Sequence, residues 1–195
     1  LIDLSHHYNV ALCENPFETV RQDRTRSEHL GNLPHGVAKF GGIVFDVRGV
    51  VALHGKQSQL RPLRAKLHEQ VEKIAVGQTA SRLHVLHGVG WGSTLPHGTV
   101  VANVVVHYRN EMTIEIPIRI GADVRDWFLS NNHRRQVTEG ELVWVQPSSE
   151  VGSRDIGLYL LTWENPHPEE VIQSLDYEST LTDASAFLLG VTCTN

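Results

Sequence analysis

Trp91 stands in the run Gly88-Val89-Gly90-Trp91-Gly92-Ser93, a large ring flanked by glycines that have no side chains to cover it. Sugars present flat C–H faces, and an exposed ring suits them when nearby polar groups fix their orientation. Trp127 follows Asp123, Arg125 and Asp126 and precedes a polar stretch holding Asn131, Asn132, His133, Arg134 and Arg135. Amide and guanidinium donors beside an aromatic ring match sugar hydroxyls. Trp91, Trp127, Asn131, Asn132 and Arg134 are therefore the candidate ligand-binding set. The competing reading is that both tryptophans cap the core from loops, since Trp is highly buried on average. Trp144 and Trp163 fall inside strand patterns and are read as packing residues.

Twelve histidines raise the question of a metal or an acid–base centre. His84 and His87 lie three apart in His-Val-Leu-His. On a strand that spacing points them to opposite faces, so they cannot chelate together. A zinc site needs three or four converging ligands, and the sequence supports no metal site. Nucleophilic catalysis has no Gly-x-Ser-x-Gly elbow to rest on. Asp123, Asp126, Glu139 and Glu141 are near enough in sequence to meet, but acidic residues around a polar loop are usually solvated. Asp46 and Arg48 share one strand face and read as an ion pair. No catalytic residue is assigned, and the chain is expected not to be an enzyme.

The net charge is −5 and the isoelectric point is near 6.2. The densest basic clusters, Arg21–Arg24–Arg26 and Arg134–Arg135, are short, so a nucleic-acid partner is not expected. No apolar run approaches the ~20 residues that span a bilayer. The only Met is Met112, so a chain opening on Leu1 is expected to be a piece of a longer protein or a mature form. Cys13 and Cys193 lie near opposite ends; Cys193 reads as a small buried apolar residue, and pairing is left open.

The elements that must position these residues are strands. Thr113–Ile120 alternates, with Ile114, Ile116, Ile118 and Ile120 on one face. Pro117 on the polar parity marks an edge strand or a bulge. Val100–Tyr108 reads as a more buried strand with Val100, Ala102, Val104 and Val106 inward. Ile43–Leu53 puts Phe45, Val47, Val51 and Leu53 on one face. Arg82–His87, Leu142–Gln146, Ile156–Trp163, Val171–Tyr177 and Phe187–Cys193 complete the set. In the last of these Phe187, Leu189, Val191 and Cys193 share one parity. Gly41-Gly42, Gly88–Gly92 and Pro96-His97-Gly98 read as breakers. Pro62–Lys73 is either a short crossover helix, on the spacing of Leu63, Leu67 and Val71, or a loop feeding a strand at Val71–Val76. The pattern predicts an all-β antiparallel sandwich spanning residues 1–195 as one domain, with at most one short helix.

The stretches DLSHHYN (Asp3–Asn9), NLPHG (Asn32–Gly36), FGGIVFDVRGVVAL (Phe40–Leu53), RLHVLHG (Arg82–Gly88), HYRNE (His107–Glu111), DVRDW (Asp123–Trp127) and LTWENPHPEEVIQSLDYES (Leu161–Ser179) together resemble bacterial accessory modules of the galactose-binding-like, carbohydrate-binding jelly-roll family. The resemblance implies a jelly-roll sandwich and a non-catalytic role in binding carbohydrate through end loops. The partners it implies are carbohydrate and the neighbouring domains of a secreted or membrane-tethered parent. It also implies an extracytoplasmic location. The alternative is a structural or protein-interaction module. Structural calcium is common in such sandwiches by resemblance, but no loop here has a diagnostic calcium spacing, so no cofactor is expected.

Overall fold

Ile116, Ile118 and Ile120 are buried, and Ile114 packs half-buried against them. This alternation gives β7 (Thr113–Arg119) one wet face, and the strand lies at the edge of its sheet. In the computed structural model, which describes residues 1–20, 28–129, 136–147 and 154–195, the chain is all-β with antiparallel sheets. The other strands are β1 (Gly36–Phe40), β2 (Ile43–Val47), β3 (Val51–Ala52), β4 (Gln70–Gln78), β5 (Arg82–Gly90), β6 (Val100–Tyr108), β8 (Phe128–Leu129), β9 (Glu141–Gln146), β10 (Asp155–Glu164), β11 (Ile172–Ser179) and β12 (Ser185–Thr194). The only helix among the described residues is α1 (Lys56–Gln59).

Two sheets face each other. One is four-stranded, in the order β4-β11-β6-β7. The other runs β3-β12-β5-β10-β8, with β9 also paired to β10. Between them lies a core that includes Leu83, Val85 and Val89 of β5, Val104 and Val106 of β6, Ile116 and Ile118 of β7, and Leu175 and Tyr177 of β11. A second core covers the opposite face of the six-stranded sheet. It joins Leu86, Leu158, Leu160, Phe187 and Leu189 to Phe40 and Phe45 of the β1–β2 hairpin and to Val10, Leu12, Phe17, Leu30 and Leu33 of the N-terminal segment. The six-stranded sheet is thus buried on both faces. Its central strands β5 and β12 are accordingly near-continuously buried rather than alternating, as sheets covered on both sides require.

Three sequence expectations are corrected by this layering, and one left open is resolved. Ile43–Leu53 is two strands in different sheets, because the chain turns at Arg48-Gly49; Phe45 and Val47 face the second core, Val51 and Leu53 the first. In β12 the register slips between Leu188 and Gly190, so Phe187 and Leu189 face one core and Val191 the other, with half-buried Cys193 beside it. Gly88 and Gly90 do not break the chain but lie inside β5. A Cβ at Gly88 would fall 2.4 Å from the Phe187 ring, and one at Gly90 2.4 Å from the Phe17 ring. Glycine is there to let two rings lie flat on the strand. Residues 62–69 take the second alternative, a loop tied by the bridges Thr19↔Leu63 and Leu53↔His68, and feed β4. Leu63 and Leu67 pack into the second core and Val71 into the first, a division that one helical face could not make.

His87 is fully buried on the parity of Val85 and Val89, flanked by Tyr159 and Leu188 on the adjoining strands. Neither ring nitrogen has a hydrogen-bond partner among the described residues. Burial alone pushes its pKa down to about 3.

Two outcomes follow from these cores. Ile116→Ala should lower unfolding free energy by about 2–5 kcal/mol in a urea titration, as for buried Ile truncations generally. The second concerns acid. His87 stays neutral when folded but takes a proton near pH 6.5 when unfolded. Stability should be full above pH 6.5 and fall as pH drops towards 3, by on the order of a few kcal/mol from this group. Urea melts of His87→Leu should lose that part of the acid dependence.

Candidate functional site

Where β5 ends at Gly90, the chain turns at Trp91, which has φ +57°. A bulky residue in the left-handed region is an outlier worth about 1–3 kcal/mol of strain. The Trp91 ring lies 4.7 Å from the Phe17 ring, which itself rests on Gly90. The segment carrying Trp127 runs beside the end of β5: the backbone N–H of Trp127 donates to the Val89 carbonyl at 2.8 Å, next to a parallel bridge from Val89 to Asp126. This places the Trp127 ring 5.7 Å from Phe17, 5.5 Å from Phe187 and 4.9 Å from Phe128. Five aromatic rings thus form one cluster over the outer face of β5 and β12.

A cleft of about 240 Å³ opens on this cluster. Phe17, Trp91, Trp127 and Phe128 line it, with Asn15, Asp126, Arg61 and Arg154 among its polar groups. The Arg61 guanidinium sits 5.2 Å from the Trp91 ring centre, and that of Arg154 5.8 Å from Phe128, both within cation–π range. Arg61 is braced by Nη1 donating to the Gln57 carbonyl and side-chain oxygen at 2.6 and 2.7 Å. Asp126 accepts from the Phe128 and Ser93 backbone N–H groups at 3.0 and 3.1 Å. Burial pushes its carboxyl pKa up, against the pull of these hydrogen bonds.

Of the sequence-predicted site residues, the structure brings Trp91 and Trp127 to one cleft through Phe17. Trp91 is half-buried rather than free, since Phe17 and Arg61 lie against it. Trp127 is 0% exposed and forms the floor, as the core-capping alternative had it. Asn131, Asn132 and Arg134 lie outside the described residues. Sequence reasoning missed Phe17, Arg61, Phe128 and Arg154. Only Phe128 had a local signal, its place beside Trp127; Phe17 and Arg61 are remote in sequence.

The other candidates resolve into structural roles. His84 hydrogen-bonds Thr162 at 2.9 Å and Thr194 at 3.1 Å, and it points away from the His87 side of β5. Asp123 is buried, not solvated; it and Glu139 both pair with Arg119, at 2.8 and 2.7 Å. Asp46 and Arg48 form the expected ion pair at 2.8 Å. Cys13 is exposed, Cys193 half-buried, and both are free thiols.

A second groove, of about 490 Å³, lies on the outer face of the four-stranded sheet. There His107 Nε2 meets Asp176 at 2.7 Å, and the other Asp176 oxygen accepts the Lys73 backbone N–H at 2.7 Å. Lys73 and Glu111, both lining the groove, have φ of +59° and +68°. Tyr108, which also lines the groove, is buried with its hydroxyl donated to Asn165.

No family model, curated protein or solved structure matches the chain.

The two tryptophans should separate in thermal and urea melts. Trp127→Ala should cost about 3–5 kcal/mol, as a buried aromatic truncation does. Trp91→Ala should cost only about 0.5–1.5 kcal/mol, the worth of its ring pair with Phe17.

Proposed function

We propose that the chain is a non-catalytic binding module that recognises a glycan or similar polar ligand in the cleft over Phe17, Trp91 and Phe128. The observation that carries this reading is the backbone of Trp91. A glycine would take φ +57° without cost, yet the position holds the largest side chain, and its ring forms the lip of the cleft. Strain of this kind is kept where the placement of the side chain is useful. An aromatic lip with guanidinium and carboxylate groups around it is the usual composition of a site for a polar ring ligand. The resemblance to galactose-binding-like jelly-roll modules, with its extracytoplasmic setting, belongs to the same proposal.

The second reading, a structural or protein-interaction module, is favoured by one feature. The outer face of the β1–β2 hairpin exposes Val37 and Val44, at 64% and 39%. Two exposed valines on one face of a hairpin, diagonal to each other across the ladder, suit contact with a neighbouring domain.

A glycan array probed with the purified chain separates the two. A positive glycan should lose binding on Trp91→Ala, with the small stability cost given above. Val37→Ser with Val44→Ser should leave that binding unchanged. No positive glycan, or binding indifferent to Trp91, would favour the interaction module.

A further inference from the structure

We infer that Arg61 is a latched cover over Trp91. In the free chain its guanidinium takes the ring face on which a ligand would stack, and a ring ligand binds only after Arg61 swings away. This rests on the binding reading above and adds how access to that site is controlled.

The order of burial around the ring places Arg61 on the solvent side. Phe17 is 8% exposed and rests on Gly90. Trp91, 4.7 Å from it, is half-buried, and Arg61, 5.2 Å from the Trp91 ring centre, is exposed. From the core outwards the layers are therefore Phe17, Trp91 and Arg61. A guanidinium and a flat ligand ring both pack on the π-face of an indole, so they compete for one place. The Trp91 backbone is held on both sides, by Gly90 at the end of β5 and by the Ser93 N–H donating to Asp126 at 3.1 Å. Arg61 is the partner that can move. Its own backbone is fixed, with its N–H on the Ser58 carbonyl at 3.2 Å and its carbonyl accepting the Leu63 N–H at 2.9 Å. Opening is thus a side-chain rotation that needs no loop to shift. Among the described residues no carboxylate pairs with Arg61. What holds it is the ring and the two Gln57 oxygens that accept from Nη1. Gln57 does not line the cleft, so it acts as the latch and not as a ligand contact. An exposed contact of this kind favours the closed form by about two- to fivefold, which raises the apparent Kd about three- to sixfold.

The test compares the full chain with Arg61→Ala and Gln57→Ala by two measurements. Both side chains lie outside the two cores, so the melting temperature should not change. The first measurement needs no ligand: acrylamide quenching of tryptophan fluorescence, with the Trp91 share taken as the difference from Trp91→Phe. Arg61→Ala should raise that share about twofold or more, and Gln57→Ala should raise it less. The second is affinity, with galactotriose and every positive sugar of the glycan array titrated by calorimetry. Arg61→Ala should bind about three- to sixfold tighter than the unchanged chain, and Gln57→Ala should shift in the same direction. Weaker or equal binding by Arg61→Ala would make Arg61 a ligand contact or a bystander, overturning the cover and leaving the binding reading standing. Unchanged quenching of Trp91 in Arg61→Ala would also overturn the cover. Should no sugar of the array bind even the Arg61→Ala chain, the binding reading falls and the inference with it.

Discussion

The structure depends on a six-stranded sheet buried on both faces. One face closes against the four-stranded sheet and the other against the β1–β2 hairpin and the N-terminal segment. A sheet covered on one side can send its polar residues to water; this one cannot. Its central strands therefore carry apolar residues at consecutive positions, and the few polar groups inside must be hydrogen-bonded or remain uncharged. His84 follows the first course through Thr162 and Thr194, and His87 the second. The register slip in β12 serves the same requirement by re-aiming the strand between the two cores.

The aromatic cluster is the part of the second core that reaches the surface. Phe187 and Phe17 lie on β5 because Gly88 and Gly90 leave room for them, and Trp127 and Trp91 build outward from those rings. The site and the core are one packing unit. Phe17, Trp127 and Phe187 are buried, and Trp91 and Phe128, with Arg61 and Arg154 against them, are the rings that meet solvent. A strained backbone at Trp91 is tolerated because its neighbour Phe17 is anchored by a fully packed strand.

The β class was legible because period-two alternation at Ile114, Ile116, Ile118 and Ile120 has one physical explanation. The strands at Arg82–His87, Leu142–Gln146, Ile156–Trp163, Val171–Tyr177 and Phe187–Cys193 were legible as β-rich apolar runs between turn residues, whereas the short β8 was not. The layering was not. Local pattern shows that a residue is apolar but not which of two cores receives it, so Phe45–Leu53 and Phe187–Cys193 each read as one face. Glycines in β5 read as breakers because the rings that need the space, Phe17 and Phe187, are remote in sequence. For the site, Trp91 and Trp127 were visible as tryptophans beside turn residues. Phe17 and Arg61 could not be found, since only the N-terminal wrap and the segment after α1 bring them to the cleft.

The two outer edges of the four-stranded sheet, β7 and β4, differ from a regular open ladder. Along β7, Pro117 faces Asn103 and offers no N–H of its own. Along β4, the pairing with β11 is interrupted at two places, around Lys73 and near Gly77, both with positive φ. A newly made or partly opened copy that tried to add its own strand to either margin would meet a missing donor on one side and a crooked ladder on the other. Neither margin of this sheet thus offers the unbroken row of backbone donors and acceptors that edge-to-edge strand addition requires.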